Sequence, residues 1–247
     1  MADSYYVTLP SNSSMDVNPS NTLTHYRVNL PSAMIFDGDW EVALAEFSYP
    51  HRWLNVIEGH NHIFCSAGEG DQVHVHKIPE GYYPTPEDLI SRIDPPISHD
   101  ELVRIKYNRF IQKIIVKTEE GVRLALAKRL ASLMGFDEGG EITGVEKAPR
   151  VINLRPVQSM FIYTDIIEYN VVGDIRAPLL RIVNVDGEYG QTVTKTFVAP
   201  HYVPLKQKAV NTIEIDIRDD TGRFIPFMDG KVVAKLHFRR RRSSYFQ

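Results

Sequence analysis

Alternation of apolar and polar side chains dominates the chain. Ile213, Ile215 and Ile217 alternate with Glu214, Asp216 and Arg218, and Val232, Ala234, Leu236 and Phe238 with Lys231, Lys235, His237 and Arg239. A repeat of two sends one set of side chains to a buried face and the other to solvent, the signature of a half-buried strand. Trp40, Val42 and Leu44 begin a third such run against Asp39 and Glu41. Stretches rich in Val, Ile, Thr, Tyr and Phe near 5–9, 23–30, 72–78, 102–107, 110–117, 158–167, 179–185 and 192–198 read as further strands. Turns punctuate them at Asp37-Gly38, Asp186-Gly187, Asp219-Asp220-Thr221-Gly222 and Asp229-Gly230.

Two segments keep a helical period instead. Thr85-Pro86-Glu87-Asp88 offers a cap, a first-turn proline and acids for the positive end of the helix dipole. Leu89, Ile90 and Ile93 give that helix one apolar face, and Pro95-Pro96 is expected to stop it. A second helix is expected from about Val122 to Met134. Its Leu126, Leu130, Leu133 and Met134 share a face, and Gly135 is placed to end it. Residues 136–150 read as a long mobile loop and 11–21 as a polar connection. Strands almost throughout, with two short helices in the connections, predict an all-β sandwich or jelly roll folded as one domain over 1–247.

Composition narrows the class. The chain has 247 residues, 43% hydrophobic and 24% charged, with a mean hydropathy of −0.24, values of a soluble globular protein. No window approaches the apolar length a membrane helix needs. Met1-Ala2-Asp3-Ser4-Tyr5 lacks a basic and then apolar leader, so no secretory signal is expected, and Asn12-Ser13-Ser14 is not expected to be glycosylated. One cysteine, Cys65, excludes an intramolecular disulfide framework and any multi-cysteine zinc site; beside Phe64 it reads as a core residue. Charge changes the picture at one place only. The 28 Lys and Arg against 31 Asp and Glu give a net −3, but residues 231–247 hold six basic groups and no acid. A mildly acidic body thus ends in a basic tip, Arg239-Arg240-Arg241-Arg242. Four adjacent guanidinium groups suit phosphate contact, or equally a solvated run that keeps an edge strand from aggregating, and no aromatic residue interleaves them.

Catalytic patterns are few. Gly68, His74, His76 and Glu80 follow the spacing of the first cupin metal motif, in which two imidazoles at i and i+2 of a strand face one side and a carboxylate completes the set. The closing glycine is Glu87 here, and the second cupin motif is missing. A strand that carries His74 and His76 on one face without a metal accounts for the pattern too. His60 and His62 lie in a polar stretch nearby. Asp220-Thr221-Gly222 is the triplet of aspartic proteases, but Arg218, Asp219 and Arg223 around it suit a tight turn rather than a shared-proton carboxylate pair. Phosphate-binding glycine loops, nucleophile elbows and Cys-x-x-Cys pairs are absent. The chain therefore reads as a non-enzyme with no metal or cofactor. A cupin-like metal-dependent enzyme using His74, His76 and Glu80, or a jelly-roll binding module, is the alternative.

Several segments together resemble a known family. These are Tyr6-Val7-Thr8-Leu9-Pro10-Ser11-Asn12-Ser13-Ser14, Leu30-Pro31, Gly38-Asp39-Trp40-Glu41-Val42-Ala43-Leu44-Ala45-Glu46 and Tyr49-Pro50. Gly81-Tyr82-Tyr83-Pro84-Thr85, Leu133-Met134-Gly135-Phe136, Tyr163-Thr164-Asp165-Ile166-Ile167, Val172-Gly173-Asp174 and Pro178-Leu179-Leu180-Arg181 follow in order. Thr212-Ile213-Glu214-Ile215, Asp219-Asp220-Thr221-Gly222, Pro226-Phe227 and Gly230-Lys231-Val232 close the series. In this order, over nearly the whole chain, they resemble the minor capsid (penton) proteins of polintons, also called Mavericks, and of the related adintoviruses and virophages. The resemblance implies a single jelly-roll subunit that forms homopentamers at the fivefold vertices of an icosahedral capsid, among trimers of a double jelly-roll major capsid protein. It implies a virion protein made in the host cytoplasm and assembled in the nucleus. It also implies a last strand, 231–238, beside the first, with Arg239, Arg240, Arg241 and Arg242 turned toward the capsid interior or its DNA.

Overall fold

The two-residue repeat becomes strand after strand in a computed structural model, which describes residues 4–67, 73–97 and 102–241. In chain order the first elements are β1 (Ser4–Pro10), β2 (His25–Ile35), β3 (Trp40–Pro50), β4 (His62–Ala67), β5 (His74–Lys77), α1 (Pro86–Ile97), β6 (Val103–Asn108), β7 (Lys113–Thr118) and β8 (Val122–Leu126). Next come α2 (Lys128–Met134), β9 (Glu141–Thr143), β10 (Val145–Lys147), β11 (Ser159–Thr164), β12 (Asn170–Val172) and β13 (Ile175–Ala177). The last are β14 (Leu179–Asn184), β15 (Thr192–Thr196), β16 (Val203–Pro204), β17 (Ala209–Arg218) and β18 (Val233–Arg240). They fall into two compact units, one drawn from residues 1–53 and 157–247, the other from 54–156.

In the first unit the strands pair as nested antiparallel couples. β1 pairs with β18, β2 with β17, β3 with β15 and β11 with β14. The couples join into two sheets, β1–β18–β3–β15 (with β16 also on β3) and β14–β11–β17–β2. First with last, second with second-last, and so inward to the middle is the strand order of a jelly roll. Each sheet turns its apolar set inward. Ile213, Ile215 and Ile217 of β17 and Leu236 and Phe238 of β18 have no exposed surface, and Leu9, Val42, Leu44, Tyr26 and Ile162 share their cluster. Each such side chain contributes about 1.5–3 kcal/mol by leaving water. The Tyr26 phenol reaches from β2 to the other sheet, donating to the Leu9 carbonyl at 3.2 Å, which satisfies a buried hydroxyl.

The second unit carries sheets β5–β4–β8–β9 and β10–β7–β6, with both helices and its own apolar cluster. Thr85 and Asp88 cap α1 reciprocally, Thr85 Oγ1 accepting from the Asp88 N–H and Asp88 Oδ2 from the Thr85 N–H, both at 3.2 Å. Leu89 and Ile93 enter the core as their spacing predicts. Asn55 ties the unit together from a fully packed position. Its Nδ2 donates to the Tyr83 and Leu154 carbonyls at 2.8 and 3.0 Å, and its Oδ1 accepts from the Tyr83 N–H at 2.9 Å.

Two sequence expectations are corrected in this unit. The helix expected over 122–134 is a strand and then a helix, because Val122, Leu124 and Leu126 are buried at a spacing of two and only Leu130, Leu133 and Met134 follow the helical period. The helix α1 runs through Pro95-Pro96 to Ile97. Residues 136–150 are no open loop: β9 pairs with β8 and β10 with β7, and Ile142 is buried between exposed Glu141 and Thr143. The connection 11–21 is a series of turns, as expected.

Candidate functional site

The arginine run does not follow the last strand; it begins inside it. β3 offers Glu41 and Trp40 as pairing partners, so Arg239 and Arg240 extend β18. Alternation then puts Lys235, His237 and Arg239 on the face of the sheet away from the core. β1 brings Tyr6, 60% exposed, opposite His237, with the two rings stacked at 4.4 Å. Tyr202, one residue before β16, joins them, its phenol oxygen 2.6 Å from His237 Nδ1. The Arg239 guanidinium lies over the Tyr202 ring, 3.4 Å from its centre, while its Nε donates to Glu41 Oε1 at 2.6 Å. Lys235 Nζ stands 5.4 Å from the Tyr6 ring centre. Burial, and then the positive charge of Arg239, hold the His237 imidazole below its ordinary value, and its Nδ1 stands within hydrogen-bond reach of the Tyr202 phenol.

The arginines therefore differ. Arg239 is committed to Glu41 and Tyr202. Arg240 lies against Gly38, where a Cβ would come within 3.1 Å of its guanidinium. The Arg241 backbone N–H donates to the Asp39 carbonyl at 2.8 Å, and its residue lines a shallow cleft of about 230 Å³ with Trp40, Glu168, Lys206 and Lys208. Arg242 lies outside the described residues. Guanidinium groups beside aromatic rings can hold phosphate oxygens and stack flat groups. Sequence reasoning finds no aromatic interleaving here because Tyr6 arrives from β1 and Tyr202 from the connection before β16. Pairing of the first and last strands was the available signal for Tyr6; nothing in the sequence pointed to Tyr202.

The other candidates separate. His74 and His76 stand on β5 opposite Cys65 and Ile63 of β4. Glu80 follows in the connection after β5, His60 lies in the bend before β4, His62 opens β4, and Gly68 is outside the described residues. Among the described residues no group of three or more His, Cys, Asp or Glu side chains could hold a metal ion. Cys65 is buried, and that burial pushes its thiol up, away from thiolate chemistry. Asp220-Thr221-Gly222 forms a turn. Asp219 Oδ1 accepts from the Thr221 and Arg223 N–H groups at 2.9 Å, and Arg218 pairs with Phe224 across the turn.

No protein-family model matches the chain, and no curated protein matches it. Solved structures resemble it, among them the following two. The mavirus penton protein aligns over 96% of this chain and 99% of its own, with a TM-score of 0.51 and 13% identity. A chain of the Sputnik virophage aligns over 100% of both, with a TM-score of 0.50 and 11% identity. At such identities the likeness is one of fold, and it runs from end to end.

Proposed function

We propose that this chain is a penton-type minor capsid protein, of the kind found in polintons and adintoviruses. The observation that carries the reading is the likeness to the mavirus penton protein over nearly the full length of both chains. The nested jelly roll and the ordered capsid-like segments of the sequence support it. The protein acts as one capsid subunit over 1–247, the second unit being an elaboration between β3 and β11. Five copies close a ring at the fivefold vertices of an icosahedral shell through heterologous contacts, beside a double jelly-roll major capsid protein. The subunit is made in the host cytoplasm and assembled in the nucleus. Arg240, Arg241 and Arg242 face the capsid interior and its DNA, with Arg239 anchoring the strand they leave. Native mass spectrometry of the recombinant chain tests the reading: the expected species is a pentamer, at five times the chain mass of 28.2 kDa. A monomer that holds one transition-metal ion per chain would overturn it in favour of a metal-dependent enzyme.

A further inference from the structure

At one end of the jelly roll, three stretches far apart in the chain wall a single cleft of about 230 Å³. They are the turn between β2 and β3, the connection between β16 and β17, and the residue that follows β18. Backbone hydrogen bonds pin each of them. The Leu205 and Lys206 N–H groups donate to the Trp40 and Ile166 carbonyls at 2.9 and 3.0 Å, and the Phe36 N–H donates to the Lys208 carbonyl at 2.8 Å. Arg241 is tied to the Asp39 carbonyl in the same way. The connection thus sets Lys206 and Lys208, both exposed, on the cleft that Arg241 also lines. Arg240 stands beside it, over Gly38. Asp39 and Glu168 are the acids on its walls.

Ion pairing separates these cations from others of the same unit. Arg239 is joined to Glu41, Arg27 to Glu214, Arg218 to Asp216 and Lys195 to Asp186. Among the described residues, by contrast, the side chains of Lys206, Lys208, Arg240 and Arg241 make no ion pair or hydrogen bond. The charge of Lys206 reaches Asp165, but that carboxylate accepts from the Glu214 N–H at 2.9 Å and forms no ion pair with the lysine. Arg240 included, cations outnumber acids here by four to two. None of the exposed large apolar residues lines the cleft.

We propose that this cleft holds the phosphate backbone of DNA, with Lys206 and Lys208 on one wall and Arg240 and Arg241 on the other. The proposal rests on the reading of the arginine run as DNA-facing and adds to it a second wall from an earlier connection. Unpaired cations on pinned backbone are ready to displace the counterions of a polyanion, and little ordering remains to be done when it binds. An open cleft with cations on both sides suits a strand that passes through it, whereas a small ligand needs enclosure. Phosphate contacts fix position and carry no sequence information, so duplexes of any sequence should bind alike.

The test is fluorescence anisotropy of a labelled DNA duplex with the full chain at several salt concentrations. Lys206→Ser with Lys208→Ser should make the log–log slope of affinity against salt shallower by about 1.8, two phosphates at about 0.9 each. Arg240→Ser with Arg241→Ser should do the same, and Lys206→Arg with Lys208→Arg should keep the parent slope. Lys147→Ser, at an exposed cation of β10 in the other unit, should leave the slope unchanged. A slope lowered by the arginine pair but not by the lysine pair overturns the second wall and leaves the arginine reading standing. An equal fall per charge in Lys147→Ser overturns the cleft in favour of attraction spread over the whole surface. A parent chain that binds no DNA overturns both, while the penton reading is decided separately by the pentamer in native mass spectrometry. Loss of binding to phosphatidylserine–phosphatidylcholine vesicles in the lysine variant, with DNA slopes unchanged, overturns the proposal in favour of a lipid surface.

Discussion

Gly135 ends α2 with φ at +88°, and the Phe136 N–H then reaches back to the Ala131 carbonyl at 2.9 Å. The left-handed backbone alone costs a residue with a Cβ about 1–2 kcal/mol. Here a Cβ would also lie 2.4 Å from the Arg150 carbonyl oxygen, which belongs to the strand of chain that closes the unit. Gly144 has φ of +64° with nothing within 4 Å of a built Cβ. Gly135→Ala is therefore expected to lower stability by about 1–3 kcal/mol more than Gly144→Ala, the added cost of overpacking, as read from urea unfolding midpoints. Equal losses would mean that the Arg150 segment yields freely. His237 offers a second test at this scale. Its folded-state proton affinity is depressed, so the unfolded chain binds the proton more tightly and stability falls as pH drops. The contribution is fully present above the ordinary value of 6.5 and is lost below it as pH passes through the folded value. His237→Gln should flatten that acid limb, measured as melting temperature against pH between about 7 and 5.

At the scale of elements, β18 joins a core strand to a charged surface without interruption. Arg239→Ser removes the pair with Glu41 and the stack on Tyr202, and should cost about 0.5–1 kcal/mol. Arg240→Ser and Arg241→Ser should stay within about 0.5 kcal/mol of the parent. DNA retention should divide the other way. Each phosphate that Arg240 or Arg241 no longer neutralises lowers the salt dependence of binding by about 0.7–0.9 in log–log slope. Filter binding at several salt concentrations checks this, and unchanged slopes would remove DNA as the partner of the run. β18 was readable in the sequence because Ala234, Leu236 and Phe238 are buried at a spacing of two between half-buried polar residues. β8 and α2 were not, since Leu126 closes the period of two and stands i−4 to Leu130, so a single leucine serves both patterns. β12, β13 and β16 went unseen because two or three residues are too few to show a period. The same limit hid the aromatic partners of Arg239. A cluster made by three strands has no spacing in the sequence, and only the pairing of β1 with β18 brings Tyr6 to His237.

For the whole molecule, the sequence carried the class of fold but no sign of where one unit stops and the other begins. Strands on both sides of residue 54 share one period and one composition, and neither junction is marked by a polar or glycine-rich linker. What marks the second unit is physical: a separate apolar cluster and a closed neck. Asn55 donates to the Leu154 carbonyl at 3.0 Å, so the chain enters and leaves the unit at nearly one point. Both units exceed the size, about 55–65 residues, at which one core can carry a fold. Replacing residues 55–154 by a short Gly-Ser linker should therefore leave the jelly roll folded, because each of its nested couples is formed outside the excised segment. The unit 54–156 expressed alone should also unfold cooperatively. Circular dichroism and denaturant titration of the two pieces check this, and an unfolded jelly roll would mean that its core depends on the inserted unit. Native mass spectrometry of the folded, excised jelly roll then separates the two sources of ring contact. If the full chain closes the proposed ring, assembly that persists at full strength in the shortened chain would place the ring contact on the jelly roll itself, and assembly that is lost would place it on the excised segment.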